Sequence, residues 1–179
     1  MSTASGPALR DAAVLVPLYR DVAGEPVLVL IRRTEGGIHG GQLAFPGGQR
    51  AEGDASLYDT ALRETEEEIG LTRSTVTRLS DLPPLQTRVS GFRVFPFLAR
   101  ITRPAVWRPH PAEIAEVIEC RIATLARPEA HDSRLERFDG WPEPVRVAFY
   151  RVGPHRLWGV SYRILHPLLP RLVAGEFPI

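Results

Sequence analysis

The chain of 179 residues is one domain in size, and its 44% hydrophobic and 24% charged content is that of an ordinary globular protein. This composition excludes a disordered chain, a collagen-like chain and a disulfide-dense miniprotein. A net charge of +1, from 22 basic and 21 acidic side chains, excludes a globally basic nucleic-acid coat or membrane-surface protein.

Residues 1–10 are small and polar and are expected to form a loose lead-in, with a single domain over 11–179. Ala12 to Tyr19 is apolar and predicts a buried strand, Asp21 to Glu25 a hairpin turn, and Val27 to Ile31 a second strand. Arg32 to Gly41 reads as loop, and Gln42 to Phe45 as a short strand stopped by Pro46-Gly47-Gly48. A polar loop follows from Gln49 to Asp54. Ser56, with Asp59 three residues later, predicts a capped helix that runs to Ile69 and ends on Gly70. Strands are expected over Val76 to Leu82, Phe92 to Ile101, Ala115 to Ile122 and Val145 to Val152. Pro96 predicts that the second of these four is an edge or carries a bulge. A short helical turn is expected near Ala123 to Ala126, and Arg127 to Pro144, rich in Pro, Asp and Gly, reads as loop. Trp158 to Val173 has helical spacing, which Pro167 is expected to kink or break. About seven strands and two principal helices without regular alternation disfavour a doubly wound fold and predict one α+β domain.

The chain contains no Lys, so any basic side chain on a phosphate must be Arg, which binds bidentately. Cys120 is the only cysteine, which excludes an intramolecular disulfide and a multi-cysteine metal site within one chain. Cys120 is expected to be a buried small residue. Met1 to Asp11 has no signal-like apolar core, and no apolar run approaches the ~18 residues of a membrane span. A cytoplasmic protein that binds neither nucleic acid nor membrane is expected.

The strongest chemical signal lies between Glu52 and Gly70, which hold seven of the 21 acidic residues. At ~100° per residue, with Glu64 at zero, Glu67 falls near ~300° and Glu68 near ~40°, so three carboxylates share one helical face. Tyr58, Leu62 and Ile69 cluster between ~120° and ~160° as the apolar face, and Glu66 points elsewhere. Like charges at this spacing repel. Taken alone, the run reads as a solvated acidic surface, but Phe45-Pro46-Gly47-Gly48 upstream supplies glycines that let backbone approach a ligand closely. A divalent cation would convert the repulsion into coordination, and hard oxygen ligands suit Mg²⁺ or Mn²⁺.

Gly48, followed by Arg63-Glu64-Thr65-Glu66-Glu67-Glu68-Ile69-Gly70-Leu71, resembles the Nudix box of the Nudix hydrolases. The resemblance implies a Nudix-type α/β/α sandwich with a mixed sheet. It implies hydrolysis of a nucleoside diphosphate linked to another moiety. Glu64, Glu67, Glu68 and the Gly48 carbonyl would hold Mg²⁺ or Mn²⁺. Arg63 would orient a carboxylate by ion pairing, and the general base would be Glu64 or a downstream acid, with Glu113 preferred over Glu116 and Glu119. The spacing from Gly48 to Arg63 is one residue longer than the common pattern. Asp54 or Glu52 stands for the first glutamate of the box, and Thr65 takes a usually apolar position.

The surrounding sequence is similar to the coenzyme A pyrophosphatase subgroup. The similarity rests on His39-Gly40-Gly41-Gln42-Leu43-Ala44-Phe45-Pro46-Gly47-Gly48 and Thr60-Ala61-Leu62-Arg63-Glu64. Gly91-Phe92-Arg93-Val94-Phe95-Pro96-Phe97 and Trp158-Gly159 add to it. It implies cleavage of coenzyme A, or its thioesters, into 4′-phosphopantetheine and adenosine 3′,5′-bisphosphate. Gly37 occupies a position where the subgroup carries a basic residue, so the positive charge must come from elsewhere. Arg32, Arg33, His39 and Phe95 are the candidate substrate contacts. Phe95, Phe97 and Trp107 are alternatively core residues, and His131, His155 and His166 are too scattered in sequence to argue a metal site. ADP-ribose or another nucleotide sugar is the alternative substrate, and a catalytically silent nucleotide-binding module the alternative class. The family includes homodimers, but no residue here specifies an interface.

Overall fold

The structure, a computed structural model, describes residues 9–36, 40–87, 91–138 and 140–179. Its first strand, β1 (Arg10–Arg20), is apolar on both faces because both faces are covered. β1 lies parallel to β7 (Phe92–Ile101) over nine positions, from Arg10↔Phe92 to Leu18↔Arg100. It turns through Asp21 to Glu25 into β2 (Pro26–Arg33), but β1 and β2 pair only near that turn, from Leu18↔Leu28 to Arg20↔Pro26. Beyond it they diverge. The chain from 43 to 49 fills the opening: β3 (Leu43–Ala44) pairs with β2, and β4 (Gly47–Gln49) crosses over to pair with Ala12 to Val14 of β1. The sheet is thus a V, and the candidate site lies at its mouth.

The arm of β1 is completed by β7, β5 (Val76–Asp81) and β6 (Leu85–Gln86), and the arm of β2 by β8 (Ile114–Arg121), antiparallel along its length. The mixed sheet is packed on one side by α1 (Leu57–Ile69) and on the other by α2 (Ile122–Leu125) and α3 (Gly159–Val173). A second antiparallel sheet, β9 (His131–Glu136), β10 (Val145–Val152) and β11 (His155–Leu157), joins the α3 side. This is the expected α+β sandwich. No helix among the described residues is long and apolar enough to cross a membrane.

Four local expectations are corrected. Gly47 and Gly48 do not merely stop a strand; they form β4, because β1 offers an unpaired edge where β2 leaves it. The segment 127–144 is not all loop but contains β9, and β6 and β11 are short strands that the sequence pattern hides. β7 is internal, not an edge. Its Pro96 faces the break between β5 and β6, where its carbonyl accepts from Leu82 N–H and the ladder needs no further donor. The helix α3 runs unbroken through Pro167 and Pro170, which are exposed, while Ile164, Leu165, Leu168, Leu169 and Leu172 hold its other face in the core. Finally, the fold stacks His131 and His166 at 5.2 Å between ring centroids. His131 Nε2 meets the Tyr162 hydroxyl and His166 Nδ1 the Tyr150 hydroxyl. Cys120 is buried as expected, and burial pushes its thiol up to about 11.

Candidate active site

The helix α1 starts and stops where its sequence dictates. The Ser56 hydroxyl accepts from Asp59 N–H at 3.1 Å, and Gly70 closes the helix at φ 70 with its N–H on the Glu66 carbonyl. Between these caps Ala61, Leu62 and Ile69 pack on the sheet. Thr65 fits its usually apolar position because its hydroxyl is satisfied within the helix, donating to the Ala61 carbonyl at 2.6 Å.

The three carboxylates lie on a gradient of burial. Glu67 is exposed, Glu64 is half-buried, and the Glu68 side chain is 3% exposed. Glu68 Oε2 accepts from Gly47 N–H at 2.8 Å, and Oε1 lies 3.6 Å from the Arg33 guanidinium. Burial pushes the Glu68 carboxyl up to about 7, and the charges of Glu64 and Glu113 add to this against the pull of Gly47 N–H and Arg33. Glu64 is pressed against β4. A Cβ on Gly48 would stand 2.4 Å from the Glu64 carboxyl carbon, so any side chain there would push the Glu64 carboxylate out of its place over β4. Burial, then Glu67 and Glu113, raise the Glu64 carboxyl, against Arg63.

Arg63 organises the group. Nε and Nη2 grip Asp54 bidentately at 2.9 and 3.0 Å, Nη2 also reaches the Gln49 carbonyl, and Nη1 lies 2.9 Å from Glu64 and 3.0 Å from Glu67. Asp54, not Glu52, is therefore the acid that faces the box arginine. Asp54 also accepts from Ala51 N–H at 2.8 Å and the buried Thr60 hydroxyl at 2.9 Å. Arg63 first, then these donors, hold its carboxyl far below the ordinary carboxylate range. The carboxylate pair Asp54 and Glu64 in turn raises Arg63. Sequence reasoning missed Thr60 and Gly47 in these roles. The Phe45-Pro46-Gly47-Gly48 run was the signal for Gly47, whereas nothing local marks Thr60.

The downstream acids separate cleanly. Glu116 pairs with Arg32 at 3.4 Å and approaches His155, and Glu119 is held by Arg103 and Trp107 Nε1. Only Glu113, in the turn before β8, acts electrostatically on both Glu64 and Glu68, and its carboxylate has no partner among the described residues.

The substrate candidates are not all gathered. Arg33 faces Glu68, while Arg32 is divided between Glu35 and Glu116. His39 and Gly37 lie outside the described residues. Phe95 sits in the sheet row Phe95–Ala13–Gly48, two strand spacings or ~10 Å from Gly48. It lines a separate cavity of about 380 Å³ with Tyr58, Arg78 and Phe97. Trp107 is half-buried and Phe97 packs edge-on against Tyr58.

Among the described residues no three acidic, His or Cys side chains form a finished cation cage. The donor chemistry nevertheless fits a hard divalent cation: among the described residues, the oxygen donors at the mouth of the V are carboxylates and backbone carbonyls. A buried carboxylate left against two further acids is the arrangement a cation would relieve.

A family model described as NUDIX domain matches residues 9–139. The chain is 35% identical over 161 residues to a Pectobacterium atrosepticum protein named uncharacterized Nudix hydrolase NudL, covering 89% of this chain and 81% of that one. It is 40% identical over 158 residues to the protein of the same name from Yersinia enterocolitica, covering 88% and 78%. Among solved structures, a MutT/nudix family protein from Enterococcus faecalis superposes with a TM-score of 0.62 at 20% identity, over 97% of this chain and 66% of that one. That last likeness is one of fold.

Proposed function

Since the chain belongs to the Nudix hydrolases, which act on diphosphate bonds and generally use a divalent metal such as Mg²⁺, we propose that the carboxylate face of α1 is the active site and that its substrate is coenzyme A or an acyl-coenzyme A. The products are 4′-phosphopantetheine and adenosine 3′,5′-bisphosphate. The observation that carries this reading is the seating of Glu64 against Gly48 and of Glu68 on Gly47 N–H. It brings two acids of one helix to the mouth of the V and buries one of them. The coenzyme A assignment is supported by the sequence runs 39–48, 60–64 and 91–97.

Glu64, Glu67, Glu68 and the Gly48 carbonyl would hold Mg²⁺ or Mn²⁺. When bound, the cation polarises phosphoryl oxygens and offsets developing charge. Arg63, tied to Asp54, positions the Glu64 and Glu67 carboxylates and touches no substrate. Arg33 binds a diphosphate oxygen. Glu113 accepts the proton of the attacking water at a carboxylate oxygen. Its carboxylate is unengaged, whereas that of Glu64 is committed to Arg63 and β4.

The test is product analysis after incubation with coenzyme A, ADP-ribose and diadenosine polyphosphates in Mg²⁺ or Mn²⁺, with Glu68→Gln as control. Metal-dependent release of adenosine 3′,5′-bisphosphate by wild type alone supports the whole reading. Turnover of a different member of the panel keeps the diphosphatase and discards coenzyme A. No turnover of any member moves the weight to a substrate outside the panel or to the silent module.

A further inference from the structure

Glu113 lies in a turn, and an acid on a turn acts as a base only if the turn is held. The structure fastens it at both ends. At the helix end, Arg108 N–H donates to the Ile69 carbonyl at 3.1 Å and His110 N–H to the Glu68 carbonyl at 2.8 Å, so residues 108–110 cap α1 immediately behind its carboxylates. Gly70 makes that docking feasible, because a Cβ there would stand 2.9 Å from the Arg108 Cβ. At the other end lies Thr34, the residue that follows β2. Its N–H donates to the Glu113 carbonyl at 2.9 Å and its hydroxyl to the Ala112 carbonyl at 3.1 Å. Within the turn, Glu113 and Ile114 N–H both donate to the His110 carbonyl.

Thr34 sits beside Arg33, the residue that faces Glu68. One short segment at the end of β2 therefore addresses the buried carboxylate with one side chain and the Glu113 turn with the next. The Thr34 carbonyl also accepts from Gly41 N–H, so this peptide joins the base of the 34–41 segment to the turn. The Thr34 N–H bond continues the β2–β8 ladder past Arg33↔Ile114, and the hydroxyl bond to Ala112 is the one that ending β2 does not require. We propose that Thr34 is a positioning residue for hydrolysis: by holding the Ala112–Glu113 peptide through both its N–H and its hydroxyl, it fixes the place of Glu113 beside α1, whose Glu68 carbonyl the same segment grips through His110 N–H. The inference rests on the assignment of Glu113 as the base.

The experiment compares wild type, Thr34→Val, Thr34→Ser, Glu113→Gln and the Thr34→Val/Glu113→Gln double variant. It measures kcat and KM for coenzyme A in Mg²⁺ together with Tm. Thr34→Val keeps size and the backbone bond but loses the hydroxyl bond. A single such bond corresponds to a fall in kcat of about threefold to tenfold, with KM unchanged and Tm lowered by no more than about 4 °C. Thr34→Ser, which keeps the hydroxyl, restores kcat to within about twofold of wild type, less than the fall expected from losing that bond. In the Glu113→Gln background the valine has no further effect, because the group it positions is gone. A Glu113→Gln defect without a Thr34→Val defect, or a valine effect of equal size in both backgrounds, would overturn the inference and leave the base assignment standing. Wild-type kcat in Glu113→Gln, or no turnover of coenzyme A by wild type, would overturn the underlying reading and the inference with it.

Discussion

The two faces of the main sheet are built from different materials. On the α3 face, Leu157, Ile164, Leu165, Leu168 and Leu172 meet Val16, Leu18, Leu28 and Leu30 in an apolar layer whose helix buries a single polar residue, Ser161. On the α1 face, Asp54, Thr60, Thr65 and Glu68 are buried among Ala61, Leu62 and Ile69. Among the described residues, four of the five buried polar ones thus belong to one helix and its lead-in. Apolar burial drives folding without direction, whereas each buried polar group needs a specific partner. The α3 face supplies stability, and the α1 face gives part of it up to hold charged groups in fixed places.

Substitutions on the two faces should therefore separate activity from stability. The largest expected effect is Glu68→Gln, which should lower turnover by roughly 10²-fold or more while leaving Tm at or above that of wild type, because it removes a buried charge. Steady-state kinetics and thermal unfolding of one preparation check this. On the other face, Leu165→Ala should cost about 2–5 kcal/mol of stability. Its turnover per folded molecule should stay at the wild-type level, as read by denaturant unfolding and activity well below the transition.

Asp54→Asn sharpens the picture at the edge of the α1 face. The folded-state carboxyl of Asp54 is depressed by Arg63, so its stabilisation is present above the ordinary carboxyl value and lost as pH falls toward the depressed one. The stability difference between wild type and Asp54→Asn should be largest near neutrality and shrink on acidification below about pH 4. Unfolding midpoints across pH measure it. The smallest effect belongs to Thr65→Val, whose hydroxyl bonds only within its own helix. Its cost should stay below about 1.5 kcal/mol with kinetics unchanged.

The sequence was most legible where the physics is local. The caps Ser56 and Gly70 define α1 to the residue, and helical spacing places Glu64, Glu67 and Glu68 on one face. It was less legible where one segment's structure depends on another. Gly47–Gln49 lacks strand propensity and becomes β4 because β1 parts from β2. His131–Glu136 has Leu135 as its one apolar residue and no alternation, and becomes β9 only against β10. The helix wheel put the three acids together but not their burial gradient, which the docking of β4 and the 108–113 segment creates. For the first acid of the box the sequence favoured Asp54 and left Glu52 as the alternative, and the reach of Arg63 selects Asp54.

The most direct test of this division of labour is a Mg²⁺ titration followed by both Tm and coenzyme A turnover, in wild type, Glu68→Gln and Leu165→Ala. Linkage predicts that Mg²⁺ raises Tm in wild type and in Leu165→Ala, with metal-dependent turnover in both. Glu68→Gln should unfold at or above the metal-free wild-type temperature and show neither response. Wild-type Mg²⁺-dependent turnover in Glu68→Gln would contradict the account.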